Sequence, residues 1–228
     1  MSAKSTSSPA SKSQAGFTII ESLVAIVVVA ILLSAIAPVI VFSVATRLQA
    51  RRTEVATQAA RAYIDSLRSG DVDAPRSIVA TTADTSFPLT TPAHLKDSNY
   101  AAPTATGTLT CTANDYCTVP APASGGKELF CFDADDDGFC TTTSLMDMIV
   151  QGFRYNRITN DPDKGYQLGV RVYRASAFKD SVTLKKTDTQ ATFTSGVGRR
   201  DLPLLEMTTE IATRETSYND IFRRTSQP

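Results

Sequence analysis

An apolar run with a single carboxylate at its head constrains this chain most. From Phe17 to Ala45 the residues are almost uniformly hydrophobic, and a helix needs only roughly 20 such residues to cross a bilayer. A carboxylate in that setting costs about 2.5–3.5 kcal/mol at the bilayer centre and less near the interface. A plain anchor has no use for that cost, so Glu21 calls for a cationic partner. Residues 1–16 are rich in Ser and Ala, hold Lys4 and Lys12, and contain no acid. A secretory signal carries its apolar region ahead of the cleavage point. Here the plausible cut, after Gly16, comes first; it frees the amine of Phe17 and leaves the hydrophobic helix in the mature chain. That amine and Glu21 can pair within one helix, or between two chains offset along their axes.

The stretch from Phe17 to about Ser69 has one proline and no glycine, which predicts a rod of roughly 80 Å at 1.5 Å per residue. Pro38 removes a backbone hydrogen bond and predicts a bend or a short melted stretch. Past Ala45 the pattern changes. Leu48, Val55, Ala59, Ala62, Tyr63 and Leu67 recur mostly at three-, four- or seven-residue steps and predict a stripe packed on a globular domain. Arg47, Arg51, Arg52, Glu54, Arg61, Asp65 and Arg68 fill other positions. Arg47, Arg51 and Arg52 suit acidic groups on adjacent helices or lipid headgroups, or simply a solvated face.

The segment Gly16-Phe17-Thr18-Ile19-Ile20-Glu21 resembles the prepilin-peptidase motif of type IV pilins, minor pilins and type II secretion pseudopilins. Pro38, the helix end near Gly70 and the basic leader extend the likeness over about residues 10–70. The resemblance implies cleavage by prepilin peptidase between Gly16 and Phe17 and N-methylation of Phe17. It also implies pairing of Glu21 with a neighbour's amine during assembly, with Pro38 as the helix-kinking proline. The run Ile19–Ile26, with Ala50-Arg51-Arg52 and Thr57–Ala62, is similar to the PilV-type minor pilins and to cyanobacterial pseudopilins of hormogonium polysaccharide secretion.

Beyond Gly70, residues 71–106 read as a Pro/Thr/Ala/Ser-rich connecting loop. Strands are expected at Gly107–Ala113, Lys127–Phe132, Met148–Ile158, Tyr166–Ala175 and Leu204–Ala212. The Asn-Asp-Pro-Asp-Lys-Gly run at 160–165 predicts a hairpin turn between the third and fourth of these. The tail Thr213–Pro228 is polar and expected to be loosely ordered. The organisation is therefore a leader (1–16), a transmembrane or filament-core helix (17–45), an amphipathic half (46–70), a loop (71–106) and an antiparallel sheet domain (107–228). The fold class is α+β, a long N-terminal helix packed on a small antiparallel sheet.

The four cysteines, Cys111, Cys117, Cys131 and Cys140, all follow the apolar helix. An even number in an exported domain reads as two disulfides. Three pairings are open; Cys111–Cys117 with Cys131–Cys140 is favoured because both close short loops. Zinc is a weak reading, since neither spacing is C-x-x-C and the one histidine, His94, lies in a Pro/Thr-rich stretch. Between Cys131 and Cys140, Asp133, Asp135 and Asp137 alternate and Gly138 follows. This is the first half of a calcium loop, in which alternate carboxylates converge on a hard cation. The twelfth position is Ser144 rather than Glu, so an EF-hand is not expected, and Asp147 would have to close the site in another geometry. Calcium in a loop near the sheet is also what resemblance to pseudopilins implies. The bland reading is a solvated Asp-Gly turn.

Charge is balanced, 23 basic against 23 acidic residues, and loss of Lys4 and Lys12 makes the mature chain slightly acidic; no nucleic-acid partner is expected. No catalytic constellation is present in the sequence, and no enzymatic activity is expected. The resemblance implies a minor pilin or pseudopilin anchored in the inner membrane by a single span, with a periplasmic C-terminal domain, and carried into an extracellular or periplasmic fibre. Its partners would be other subunits, prepilin peptidase, the inner-membrane assembly platform and, before assembly, the membrane itself. Motility or protein secretion would be served by such a fibre. The alternatives are the major structural pilin, or a tip adhesin or DNA-binding pilin. Arg154, Arg157, Arg171 and Arg174 could furnish a patch for the latter, although residues three apart in a strand point to opposite faces.

Overall fold

The computed structural model describes residues 18–76, 100–121, 127–156, 159–186 and 198–225. Helix α1 runs from Ile19 to Ser69 and is helical through Pro38, so the stretch of melted helix expected there does not form. Thr18 caps its start: the hydroxyl accepts the Glu21 N–H at 3.3 Å, which satisfies one of the first-turn donors. Gly70 ends it. With φ at +83° Gly70 adopts the left-handed conformation that glycine reaches without strain. Its N–H and that of Asp71 both return to the Ser66 carbonyl.

Four strands follow: β1 (Leu129–Phe132), β2 (Met148–Tyr155), β3 (Tyr166–Arg174) and β4 (Leu205–Ile211). They form one antiparallel sheet in sequence order. The β2–β3 hairpin closes through a short 3-10 turn at Pro162–Lys164, with Asp161 as its cap and Gly165 at positive φ. The architecture is α+β, a long apolar N-terminal helix with a four-stranded antiparallel sheet.

Two expectations fail. Gly107–Ala113 is not a strand; it makes only isolated bridges, Thr110 with Val119 and Thr112 with Phe139. The chain turns back at Cys111–Cys117, which are disulfide-bonded, and cannot extend into a ladder. The tail is not irregular either, since helix α2 spans Tyr218–Thr225. Ser217 caps it reciprocally. Its hydroxyl accepts the Asp220 N–H at 3.2 Å, and the Asp220 carboxylate accepts the Ser217 N–H at 2.9 Å, a capping box.

The chain divides into two units, Met1–Val44 and Ala45–Pro228. In the first, every described residue from 18 to 44 is exposed. In the second, the later half of α1 lies on one sheet face. Its buried stripe is Gln49, Arg52, Ala56, Ala59, Ala60, Tyr63, Ile64 and Leu67, at the three- and four-residue steps of one helix face. Opposite it stand Phe130, Met148, Val150, Leu168, Val170, Val172 and Ile211. The stripe differs from the one hydrophobicity predicts: Leu48 is exposed, and the polar Gln49 and Arg52 are buried. Small residues allow the close approach. A Cβ on Gly152 would lie 2.1 Å from the Tyr63 hydroxyl.

The other sheet face is also covered. Leu129, Cys131, Ile149 and Tyr173 pack with Ala105, Phe178, Leu184 and the remaining cysteines. A polar row crosses this face because Gln151, Arg171 and Glu206 are register partners. Arg171 donates to Glu206 at 3.0 Å and to the Tyr100 carbonyl at 3.0 Å, and its guanidinium sits over the Phe153 ring. Gln151 donates to Glu128 at 2.9 Å and to the Ala101 carbonyl at 2.9 Å.

Candidate assembly helix and acidic loop

The first candidate site is the head of α1. Glu21 is exposed in the first helical turn, where a carboxylate is favoured by the free N–H groups and the helix dipole. Thr18 and Glu21 stand at the N-cap and third helical positions, the spacing of a capping box. The helix that follows presents Leu23, Ile26, Val29, Leu32, Ile36 and Ile40, all exposed. A helix apolar on every side has its place in lipid or in a packed core of like helices. It is long and apolar enough to cross a membrane. Gly16 and Phe17, the residues flanking the expected cut, lie outside the described residues, as does His94. Pro38 is exposed within the helix.

The second candidate is the loop between β1 and β2. Cys131 and Cys140 are disulfide-bonded with Cα atoms 5.8 Å apart, which clasps the loop at its neck. Positive φ at Asp136 and Gly138 folds the chain back so that Gly138 donates its N–H to the Asp133 carboxylate at 2.7 Å. Asp135 accepts the Ser144 hydroxyl at 2.9 Å. Asp147, fully buried just before β2, accepts N–H groups of Thr141 at 3.1 Å and Ala134 at 3.5 Å. Asp133, Asp135 and Asp147 each offer a carboxylate oxygen, all within 4.8 Å of one another. Asp137 does not join them; its carboxylate accepts the Phe139 N–H at 3.0 Å. Ser144, at the twelfth position, serves as a local hydrogen-bonding hub rather than as a bidentate carboxylate.

The two inner carboxyls differ. Burial acts to raise Asp133, but N–H donation from Gly138, Asp135 and Asp136 outweighs it and holds the group below the usual range. Burial dominates at Asp147 and, with the charge of Asp135, keeps that carboxyl above it despite donation from Thr141 and Ser144. Phe139 and Leu145 stand exposed on this loop, a pair of apolar contacts that the run of acids hides in the sequence.

The arginines considered for a binding patch are not on the surface. Arg154, Arg171 and Arg174 are buried. Arg154 donates to the Pro75 and Asn160 carbonyls, Arg171 pairs with Glu206, and Arg174 donates to the Arg199 carbonyl. Arg157 lies outside the described residues. Of the basic positions on α1, Arg47 and Arg51 are exposed, and Arg52 is buried.

No curated protein and no solved structure matches the chain significantly. Residues 11–37 match the family model of the prokaryotic N-terminal methylation motif, a span that includes Gly16, Phe17 and Glu21 and stops one residue short of Pro38. The match supports a type IV pilin-like protein that prepilin peptidase processes and that assembles with other pilin subunits.

Proposed function

We propose that this chain is a minor pilin or pseudopilin of the PilV type, cleaved after Gly16 and assembled through α1 into a type IV pilus-like or secretion pseudopilus fibre. One observation carries the reading: an N-terminal methylation motif opens an apolar helix whose described residues from 18 to 44 are all exposed. Such a surface is stable in lipid before assembly and against neighbouring helices afterwards. In the fibre, Glu21 pairs with the Phe17 amine of an adjacent subunit. Mass spectrometry of chain recovered from sheared fibres tests this: the mature product begins at Phe17 and carries one methyl group. A product still bearing Met1 overturns it. Abundance separates the roles, since a minor subunit is a minor band in the fibres and the major pilin is the dominant one.

The acidic loop is proposed to hold calcium. Three carboxylates converging on one point supply the oxygen donors that ion takes, and Asp147 pays least for its buried charge when a cation stands beside it. Asp133, Asp135 and Asp147 would be the ligands. Calcium added to chelator-treated full-length protein in detergent raises the melting temperature, because a ligand bound to the folded state stabilises it, and Asp147→Asn removes the response. Identical melting in chelator and calcium leaves the loop as a solvated turn.

A further inference from the structure

Three reversals of the chain meet around the first residue of β3. Helix α1 stops before Gly70, the β2–β3 hairpin turns at Pro162–Lys164, and β4 ends at Ile211, the cross-strand partner of Tyr166. Between them lies a cavity of about 600 Å³, within the size range of small-molecule sites. Its walls are tied to one another. The Thr213 hydroxyl donates to the Asp163 carbonyl, Lys127 pairs with Asp73, and the Tyr116 hydroxyl donates to the Asp73 carbonyl at 2.8 Å. The cavity is thus built into the fold, and every residue that lines it belongs to the C-terminal unit.

Tyr166 points to a ligand. It lines the cavity and is 2% exposed, yet its hydroxyl makes no hydrogen bond among the described residues. A buried hydroxyl without a partner is costly, and the cavity is where a partner can stand. Burial pushes the phenol up to about 12 against the charge of Arg154, so it remains a neutral hydroxyl able to donate and accept. On the rim, Asp163, Arg214 and Glu215 are exposed, and their side chains make no ion pair or hydrogen bond among the described residues. No described N–H returns to the carbonyls of Leu67, Arg68 and Ser69 at the end of α1, which adds acceptors there. The mixture selects the ligand. Asp73, Asp163 and Glu215 balance Arg68, Lys127 and Arg214, so neither an anion nor a cation gains net attraction. These three carboxylates do not converge as Asp133, Asp135 and Asp147 do, so the site does not suit a metal ion. Donors and acceptors alternate with apolar Leu67, Val72 and Pro162. Such a lining matches a molecule with hydroxyl groups around its rim and C–H groups on its faces.

We infer that this cavity binds an uncharged carbohydrate, whose hydroxyl groups meet the Tyr166 hydroxyl, the Glu215 carboxylate and the Arg214 guanidinium. The site stands apart from the assembly helix and from the acidic loop. The test is full-length protein in phosphatidylcholine nanodiscs, which carry no sugar, titrated with maltose, cellobiose and N,N′-diacetylchitobiose and followed by saturation-transfer NMR. Glucuronic acid and glucosamine serve as charged comparisons. The expected result is saturable binding of at least one neutral disaccharide, weakened about fivefold by Tyr166→Phe and by Glu215→Gln, as loss of one hydrogen bond requires. Glu215 is exposed, so its variant keeps the test valid if Tyr166→Phe disturbs the fold. Absence of binding by all three disaccharides overturns the inference. Binding left unchanged by both substitutions places the sugar elsewhere and overturns the site. Tighter binding of glucuronic acid or of glucosamine than of any neutral disaccharide overturns the uncharged class.

Discussion

Glu21 has two physical uses, and they separate by substitution. As the third helical residue after Thr18 it favours the helix start through the dipole and the capping spacing. As a charge in an apolar surface it can bind a subunit's terminal amine. Glu21→Gln keeps the shape and much of the capping but loses the charge, and Glu21→Val loses both. We expect both variants to insert into the membrane and both to fall out of the fibre fraction by about tenfold or more, the loss of one buried ion pair being worth upwards of 1.4 kcal/mol. Fibre incorporation of Glu21→Gln at the wild-type level would leave capping as the residue's role. Gly152 is a second decisive position. Its absent side chain is the space that Tyr63 occupies, and the Tyr63 ring is fixed by a hydroxyl contact with Tyr116 at 3.0 Å and by Phe130. Gly152→Ala should destabilise the protein by about 1–3 kcal/mol or more, read as a lower denaturant midpoint. An unchanged midpoint would mean that α1 can lift from the sheet at little cost.

The elements differ in how openly the sequence announces them. Helix α1, its stop at Gly70 and the β2–β3 hairpin are legible because each has a local cause: unbroken apolarity, a glycine at positive φ, and an Asn/Asp/Pro/Gly turn. Helix α2 was legible too, in Ser217-x-x-Asp220, but a polar tail without an apolar run draws attention away from its cap. Gln49 and Arg52 could not be placed by pattern, since their burial follows from where α1 packs and not from their own polarity. In the acidic loop, alternation groups Asp137 with Asp133 and Asp135, whereas a local turn draws it to Phe139, and Asp147, the closing carboxylate expected from beyond the disulfide, stands with the other two. The layer between α1 and β3 also makes a pH prediction. Burial raises Tyr63, Tyr116 and Tyr166, the last to about 12, against about 10 in an unfolded chain. Above pH 10 the unfolded chain releases phenolic protons that the folded one retains, so this stability is complete below pH 10 and is lost as pH rises toward 12. In detergent, tyrosinate absorbance of these side chains should rise together with loss of far-UV circular dichroism. Ionisation of all the tyrosines near pH 10 with the fold intact would contradict their burial.

At the scale of the molecule, the buried apolar clusters begin at Ala56 among the described residues, with Val55 packed against them and Gln49 and Arg52 buried on the same stripe, so every described member lies in the second unit. Folding of the C-terminal unit and use of the N-terminal one are therefore separable demands. The first is met by the sheet, its two covered faces and the disulfides. The second is met by a surface that must find lipid or other helices, because seventeen large apolar side chains between Ile19 and Val44 stand exposed. Separability predicts the phenotype of a blocked cut. Gly16→Leu crowds the scissile position, and the variant should remain membrane-bound at its precursor mass and be missing from fibres. Its Cys111–Cys117 and Cys131–Cys140 bonds should still form, and its resistance to trypsin beyond Ala45 should equal that of the mature chain. Loss of the disulfides or of that resistance would show that the C-terminal unit depends on maturation, and a mature mass would move the cut away from Gly16.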